Sequence, residues 1–229
     1  MEIHIERYAL AIVYLIGFAA VAVAQTPPNT AEVAGFEGLF SAAHRGDVAE
    51  IRRLTSNGAD INARDPRGRT PVHVAAFASE DEALIALAEA GADMNALEGR
   101  AYDVVTIAAV ADDPLLLSLA IELGNDPGLV TSPYDGTALI AAAHLGHVEI
   151  VRRLIAAGAP LDHINNLHWT AVMESVVLGD GGANHQAVLD ALLVAGADRN
   201  LADRDGVTPL QHAERRGFSE MALRLRQMD

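Results

Sequence analysis

The chain has 229 residues, a formal net charge of −15 and no cysteine, and its sixteen basic residues are all arginine. Disulfides and thiolate metal sites are therefore excluded. An acidic, lysine-free surface offers no basic stripe for nucleic acid and repels anionic lipid, whereas basic partners would be attracted. The same charge also serves plain solubility.

From the N-terminus, residues 1–24 differ in kind from the rest. Tyr8 to Ala24 is uncharged and almost wholly apolar, and it ends Ala22-Val23-Ala24 before Gln25. That pattern predicts a secretory signal peptide cut after Ala24, hence a periplasmic protein with no membrane insertion after cleavage. The n-region sets Glu2 and Glu6 against Arg7, so it is not clearly basic. An uncleaved anchor is the alternative, although the run is short for a span of about 20 residues. Residues 25–35, rich in Pro and Thr, read as a flexible linker.

From Phe36 onward the chain repeats. Anchor positions Glu37, Thr70, Asp103, Thr137, Thr170 and Thr208 are separated by 33, 33, 34, 33 and 38 residues. Thr, or Asp at 103, is a good N-cap, and Pro71 and Pro209 already carry helical φ at the next position. Alanine pairs follow (Ala42-Ala43, Ala75-Ala76, Ala108-Ala109, Ala142-Ala143) and let first helices approach closely. Gly58, Gly91, Gly124 and Gly158 suit the left-handed residue that ends a second helix. Asp65 to Gly68 and Asp203 to Gly206 suit tight turns. Each unit is thus turn, helix, loop, helix, turn, and a period near 33 predicts a stacked solenoid.

The strings Gly68-Arg69-Thr70-Pro71-Val72-His73-Val74-Ala75-Ala76, Ala142-Ala143-His144-Leu145-Gly146-His147-Val148-Glu149-Ile150-Val151 and Asn57-Gly58-Ala59-Asp60-Ile61-Asn62-Ala63 resemble the ankyrin repeat. The resemblance spans Phe36 to Asp229. It implies an all-α ankyrin-repeat solenoid of about six helix-turn-helix units with β-turn fingers, near residues 36–64, 65–97, 98–131, 132–164, 165–202 and 203–229. It further implies a protein-binding module rather than an enzyme, with no cofactor; a monomer is expected.

In that architecture the first helices line a concave face and the turns project as fingers. The rows nearest the face place Phe77, Ile107, Val110, His144, Leu145, Glu174, Val177 and Leu178 there. Apolar patches with a polar surround mark contact surfaces, although packing between units is the competing account. Tyr102, Tyr134, His168 and Trp169 fall on fingers. Tyr and Trp are enriched in interface hot spots, against the alternative that Trp169 braces neighbouring fingers. The 38-residue step comes from an insertion, Asp180-Gly181-Gly182-Ala183-Asn184, at the far end of the first helix from Trp169. Asp180 completes the expected partner-binding set, and the insertion and fingers would bracket one groove across units three and four.

Tyr134 through Gly182 also resembles exported bacterial ankyrin-repeat proteins, which associate with periplasmic partners including catalase-type enzymes. The resemblance implies a periplasmic protein partner, an enzyme among the candidates, and assigns no residue a role.

Other chemistry finds little support. Zinc needs three or four converging ligands. His147 and His185 sit where a structural hydrogen bond is expected, and His163 and His168 lie on fingers. A metal-handling or enzymatic reading would use His144, Glu174, Asp180 and His185. Asp203-Arg204-Asp205-Gly206 begins like a calcium loop but departs from it at Val207 and Thr208. Gly179-Asp180-Gly181-Gly182 lacks the Lys and Ser/Thr of a phosphate loop. A membrane-tethered spacer is the third reading.

Overall fold

Side-chain caps mark where units three to six start. In the computed structural model, which describes residues 27–227, the Thr137, Thr170 and Thr208 hydroxyls accept the backbone N–H three residues on, at 3.4, 3.2 and 3.3 Å. Asp103 does the same for Thr106 at 2.8 Å, so carboxylate replaces hydroxyl without loss of the cap. The signal peptide expected at 1–24 lies outside the described residues.

Thirteen helices follow in the described residues. Short α1 (Thr30–Ala34) precedes six helix pairs: α2 (Gly38–His44) and α3 (Val48–Ser56), α4 (Pro71–Ala78) and α5 (Asp81–Glu89), and α6 (Val104–Ala111) and α7 (Pro114–Glu122). Then come α8 (Ala138–Leu145) and α9 (Val148–Ala156), α10 (Ala171–Val177) and α11 (Ala183–Val194), and α12 (Pro209–Arg215) and α13 (Ser219–Gln227). Each pair packs on the next. Fully buried alanines on the first helices admit close approach, and Ile51, Leu84, Leu117, Val151 and Leu189 fill the layer beneath. One continuous core results, in which each unit supplies the apolar face its neighbour needs.

The fingers are built by one repeated device. Asp65, Glu98, Ser132, Asn165 and Asp203 each accept two backbone N–H groups, two and four residues on. The chain then turns through a left-handed residue: Gly68, Ala101, Asp135, His168 or Gly206. Successive fingers are stitched together: Gly99 N–H donates to Arg67 O at 2.9 Å, Ser132 N–H to Ala101 O at 2.8 Å, and Asn166 N–H to Tyr134 O at 2.9 Å. Gly99 is required here, because a Cβ would stand 2.3 Å from the Arg67 carbonyl oxygen.

Two expectations are corrected. Part of the predicted linker is folded: Asn29 caps α1, Glu32 returns a hydrogen bond to the Asn29 N–H, and the Glu32 carboxylate reaches Arg67 and Arg69. The backbone N–H of Asn29 and the Arg67 guanidinium hold the Glu32 carboxyl down at about 2. The segment therefore docks on the first finger, that of unit two, instead of hanging free.

The insertion also behaves otherwise than expected. Ala183 and Asn184 extend α11 by an N-terminal turn, and the left-handed residue moves from the Gly179 place to Gly181. Gly181 lies against Phe218, with no room for a Cβ. Arg216 donates to Val177 O at 2.6 Å and Gly179 O at 2.8 Å, and its guanidinium lies 4.7 Å from the Phe218 ring centroid. The insertion thus seals the joint between units five and six and does not wall a groove over units three and four.

Candidate functional site: the groove over units three to five

The step of 34 residues has a structural consequence. Four fingers close with an N–H reaching the carbonyl four residues on, at 2.9 to 3.0 Å. The finger before unit four closes from Thr131 to Gly136 at 2.7 Å, one residue longer. Behind it lies a groove, open to solvent, with a cavity volume of about 50 Å³.

Val110 on α6 and Ile140, Ala141 and Leu145 on α8 give this groove apolar walls, and Tyr102 and Tyr134 stand at its finger side. Its floor is polar. Thr106 and Thr131 pair their hydroxyls at 2.9 Å. Glu174, from α10, is wholly buried. One carboxyl oxygen lies 3.2 Å from His144 Nδ1, and the other accepts from Asn165 Nδ2 at 3.0 Å. Burial pushes the Glu174 carboxyl up from the ordinary glutamate range, and its hydrogen bond with His144 opposes that. Burial likewise raises the Tyr102 phenol and the capping Asp103 carboxyl; Asp103 also accepts from Asn125 Nδ2 at 2.8 Å. A buried carboxylate needs partners because its lost hydration is costly.

The expected partner-binding residues divide. Tyr102, Val110, Tyr134, His144, Leu145 and Glu174 converge on the groove. Phe77 on α4, Val177 on α10 and Leu178 just past the end of α10 are half-buried, outside its lining. Ile107 is buried between helices, so the packing account applies to it. Glu174 is no surface contact but a floor group beneath His144. Trp169 is half-buried on the next finger, its N–H held by Asn165 at 3.0 Å, and His168 is exposed at φ 68°. Asp180 is exposed and caps the insertion, accepting from Gly182 N–H and lying 2.8 Å from His185 Nδ1.

The histidine cluster disperses. His185 Nε2 meets His144 O at 2.9 Å, His147 Nδ1 meets Ala109 O at 2.9 Å, and His163 Nε2 meets Asp135 O at 2.6 Å. The first two tie one unit to its neighbour, and the third lies within unit four. Among the described residues no three His, Asp or Glu side chains gather as metal ligands would.

Thr106, Thr131, Ile140 and Asn165 were not anticipated from the sequence. Asn165 had a signal: it occupies the turn position that Asp65 and Asp203 hold, with an amide that can both accept from the finger and donate to a buried carboxylate.

Stacked helix pairs presenting such a groove define a solenoid of the protein–protein interaction class, a scaffold that is typically not enzymatic. Ankyrin-repeat family models match residues 39–88 (many copies) and 105–183 (three copies). The ankyrin repeat protein YahD of Escherichia coli (strain K12) is 35% identical over 182 residues, 79% of this chain and 90% of YahD. The crystal structure of an ankyrin repeat domain from Acinetobacter baumannii AYE superposes with a TM-score of 0.76 at 44% identity, covering 82% of this chain and 95% of that one. A chain of the Bdellovibrio bacteriovorus complex of a predatory endopeptidase with its immunity protein shares the fold, with a TM-score of 0.69 at 23% identity, over 85% of this chain and 99% of that one. The chain belongs to the ankyrin-repeat family.

Proposed function

We propose that this protein is exported and acts in the periplasm as a monomeric binding module, seating a segment of a protein partner in the groove over units three to five. The observation that carries the reading is the convergence of Tyr102, Val110, Tyr134 and Leu145 on one concave opening. Aromatic and aliphatic anchors around a pocket are the usual energetic centre of an interface. A groove already held by stitched fingers and buried hydrogen bonds loses little entropy on binding.

Export is supported by the apolar stretch that ends Ala22-Val23-Ala24. Mass spectrometry of the protein recovered from the exported fraction is expected to show Gln25 as its first residue. An intact Met1 end would overturn cleavage.

For binding, Val110→Glu combined with Leu145→Glu is expected to remove the proteins that co-purify with the wild type, at an unchanged melting temperature. Both side chains are only half-buried. Retention of the same co-purifying proteins would show that another face binds.

A further inference from the structure

The groove has an unbalanced charge at its floor. Among the described residues its lining holds one carboxylate, Glu174, and no arginine. Among the six units, the corresponding place on the first helix is otherwise Ser41, Val74, Ile107, Ala141 or His212, so an acidic group here is particular to unit five. The two groups that touch the carboxylate are not equivalent. Asn165 is buried and pinned, since its Oδ1 also holds the Leu167 and Trp169 N–H groups of the finger, both at 3.0 Å. His144 lines the groove, and its side chain is 16% exposed. His144 is thus the group that separates the Glu174 carboxylate from the groove, and its displacement would open the carboxylate to an occupant.

Resting on the binding role proposed above, the geometry points to an arginine side chain, presented by an extended segment of the partner, as the occupant of this groove, its guanidinium replacing His144 at the Glu174 carboxylate. The walls suit the whole side chain. Val110, Ile140 and Leu145 would cover the methylene stem, as amphipathic side chains prefer. Tyr102 and Tyr134 offer aromatic surface to a cation. The planar fork of a guanidinium matches a carboxylate in two parallel hydrogen bonds and is less strongly hydrated than an ammonium, so arginine suits a half-closed site better than lysine. Charge complementarity extends beyond the groove: a chain of net charge −15 draws basic segments toward it. Burial already disfavours the Glu174 anion, and a guanidinium in direct contact relieves that cost.

The test uses fluorescein-labelled peptides Ala-Gly-Leu-Xaa-Leu-Gly-Ala with Xaa as arginine, citrulline or lysine, titrated with the purified protein and followed by anisotropy. Citrulline keeps the shape of arginine and removes its charge. The arginine peptide should bind roughly tenfold or more tighter than the citrulline peptide, the usual margin for a charged hydrogen-bonded pair. Glu174→Gln should bind the two equally. Equal binding of both peptides by the wild type, no binding of either, or a preference that survives in E174Q would each overturn the inference. A lysine peptide as tight as arginine would overturn the choice of guanidinium. If E174Q fails to fold, the lysine peptide still decides the matter, because attraction to the acidic chain would hold the lysine and arginine peptides alike, whereas a guanidinium seated on the carboxylate favours arginine. The outcomes also separate from those of the groove variants. Loss of partners in the Val110/Leu145 double variant with no arginine preference sinks only the occupant, whereas unchanged partners sink the groove itself.

Discussion

Replacing Asp65 by alanine is expected to destabilise the folded chain by about 3–5 kcal/mol, the cost of leaving a buried ion without its partner. Arg69 is 2% exposed, and its Nε donates to Asp65 Oδ2 at 2.7 Å. Among the described residues its other carboxylate contact is Glu32 at 3.3 Å, and Nη1 is buried without a hydrogen-bond partner. The same Asp65 accepts the Arg67 and Arg69 N–H groups that shape the finger, both at 2.9 Å. Alanine removes both functions at once. The double change Asp65→Asn with Arg69→Met keeps the finger acceptor and removes the charge, so it should cost less than D65A alone. Urea unfolding of wild type and both variants measures this. A D65A loss below about 1 kcal/mol, the range of an exposed pair, would show that Arg69 is not energetically buried.

The second large effect is a dependence on acid. His73 is fully buried; its Nδ1 stands 3.1 Å from the Thr70 N–H and 2.8 Å from the Thr70 hydroxyl, and its Nε2 stands 3.1 Å from Tyr102 O. The ring therefore donates from Nε2 and accepts at Nδ1, the neutral form. A proton on Nδ1 would face the Thr70 N–H. Burial lowers the His73 pKa from 6.5 to about 4. Between those values the unfolded chain binds the proton and the folded one does not, so stability rises with pH across the window and falls as pH drops through it. The loss between pH 7 and pH 4 amounts to about 3 kcal/mol. His73→Gln keeps an acceptor and cannot take up the proton, so its unfolding midpoint should vary less over that window. Carboxylates such as Glu32 titrate in both proteins and cancel in the difference. Parallel slopes for the two proteins would exclude His73 as the acid-sensitive group.

Much of the fold is local, and so it was legible in the chain. A threonine or aspartate ahead of an apolar run caps a helix by a bond to a backbone three residues away, and a glycine ends it; neither depends on distant residues. Even Ser79 and Asp112, which stand where other units carry Gly46 and Gly146, take the left-handed conformation, because the loop between paired helices imposes it. The repeat period then dictates stacking, since no unit can bury its apolar face alone. The row arithmetic could bring Val110, His144 and Leu145 to one face, but it could not separate Ile107, one helical turn away, which the neighbouring helices cover.

The groove depended on contacts between units. One extra residue in a finger shows in the sequence only as a step of 34 in place of 33. Its effect, a buried Thr106–Thr131 pair and an opening beside Tyr134, exists only once units three and four are stacked. The five-residue insertion was visible, but its destination was not: Phe218 and Arg216, on the next unit, draw it away from the concave face. Glu174 was seen as a face residue, and tertiary structure made it a floor residue with two partners. Its sequence therefore determined the family, the six helix pairs and their caps, because those follow from bonds spanning a few residues. Tertiary structure alone decided which side chains face a common space, because burial and charge pairing depend on neighbours some thirty residues away.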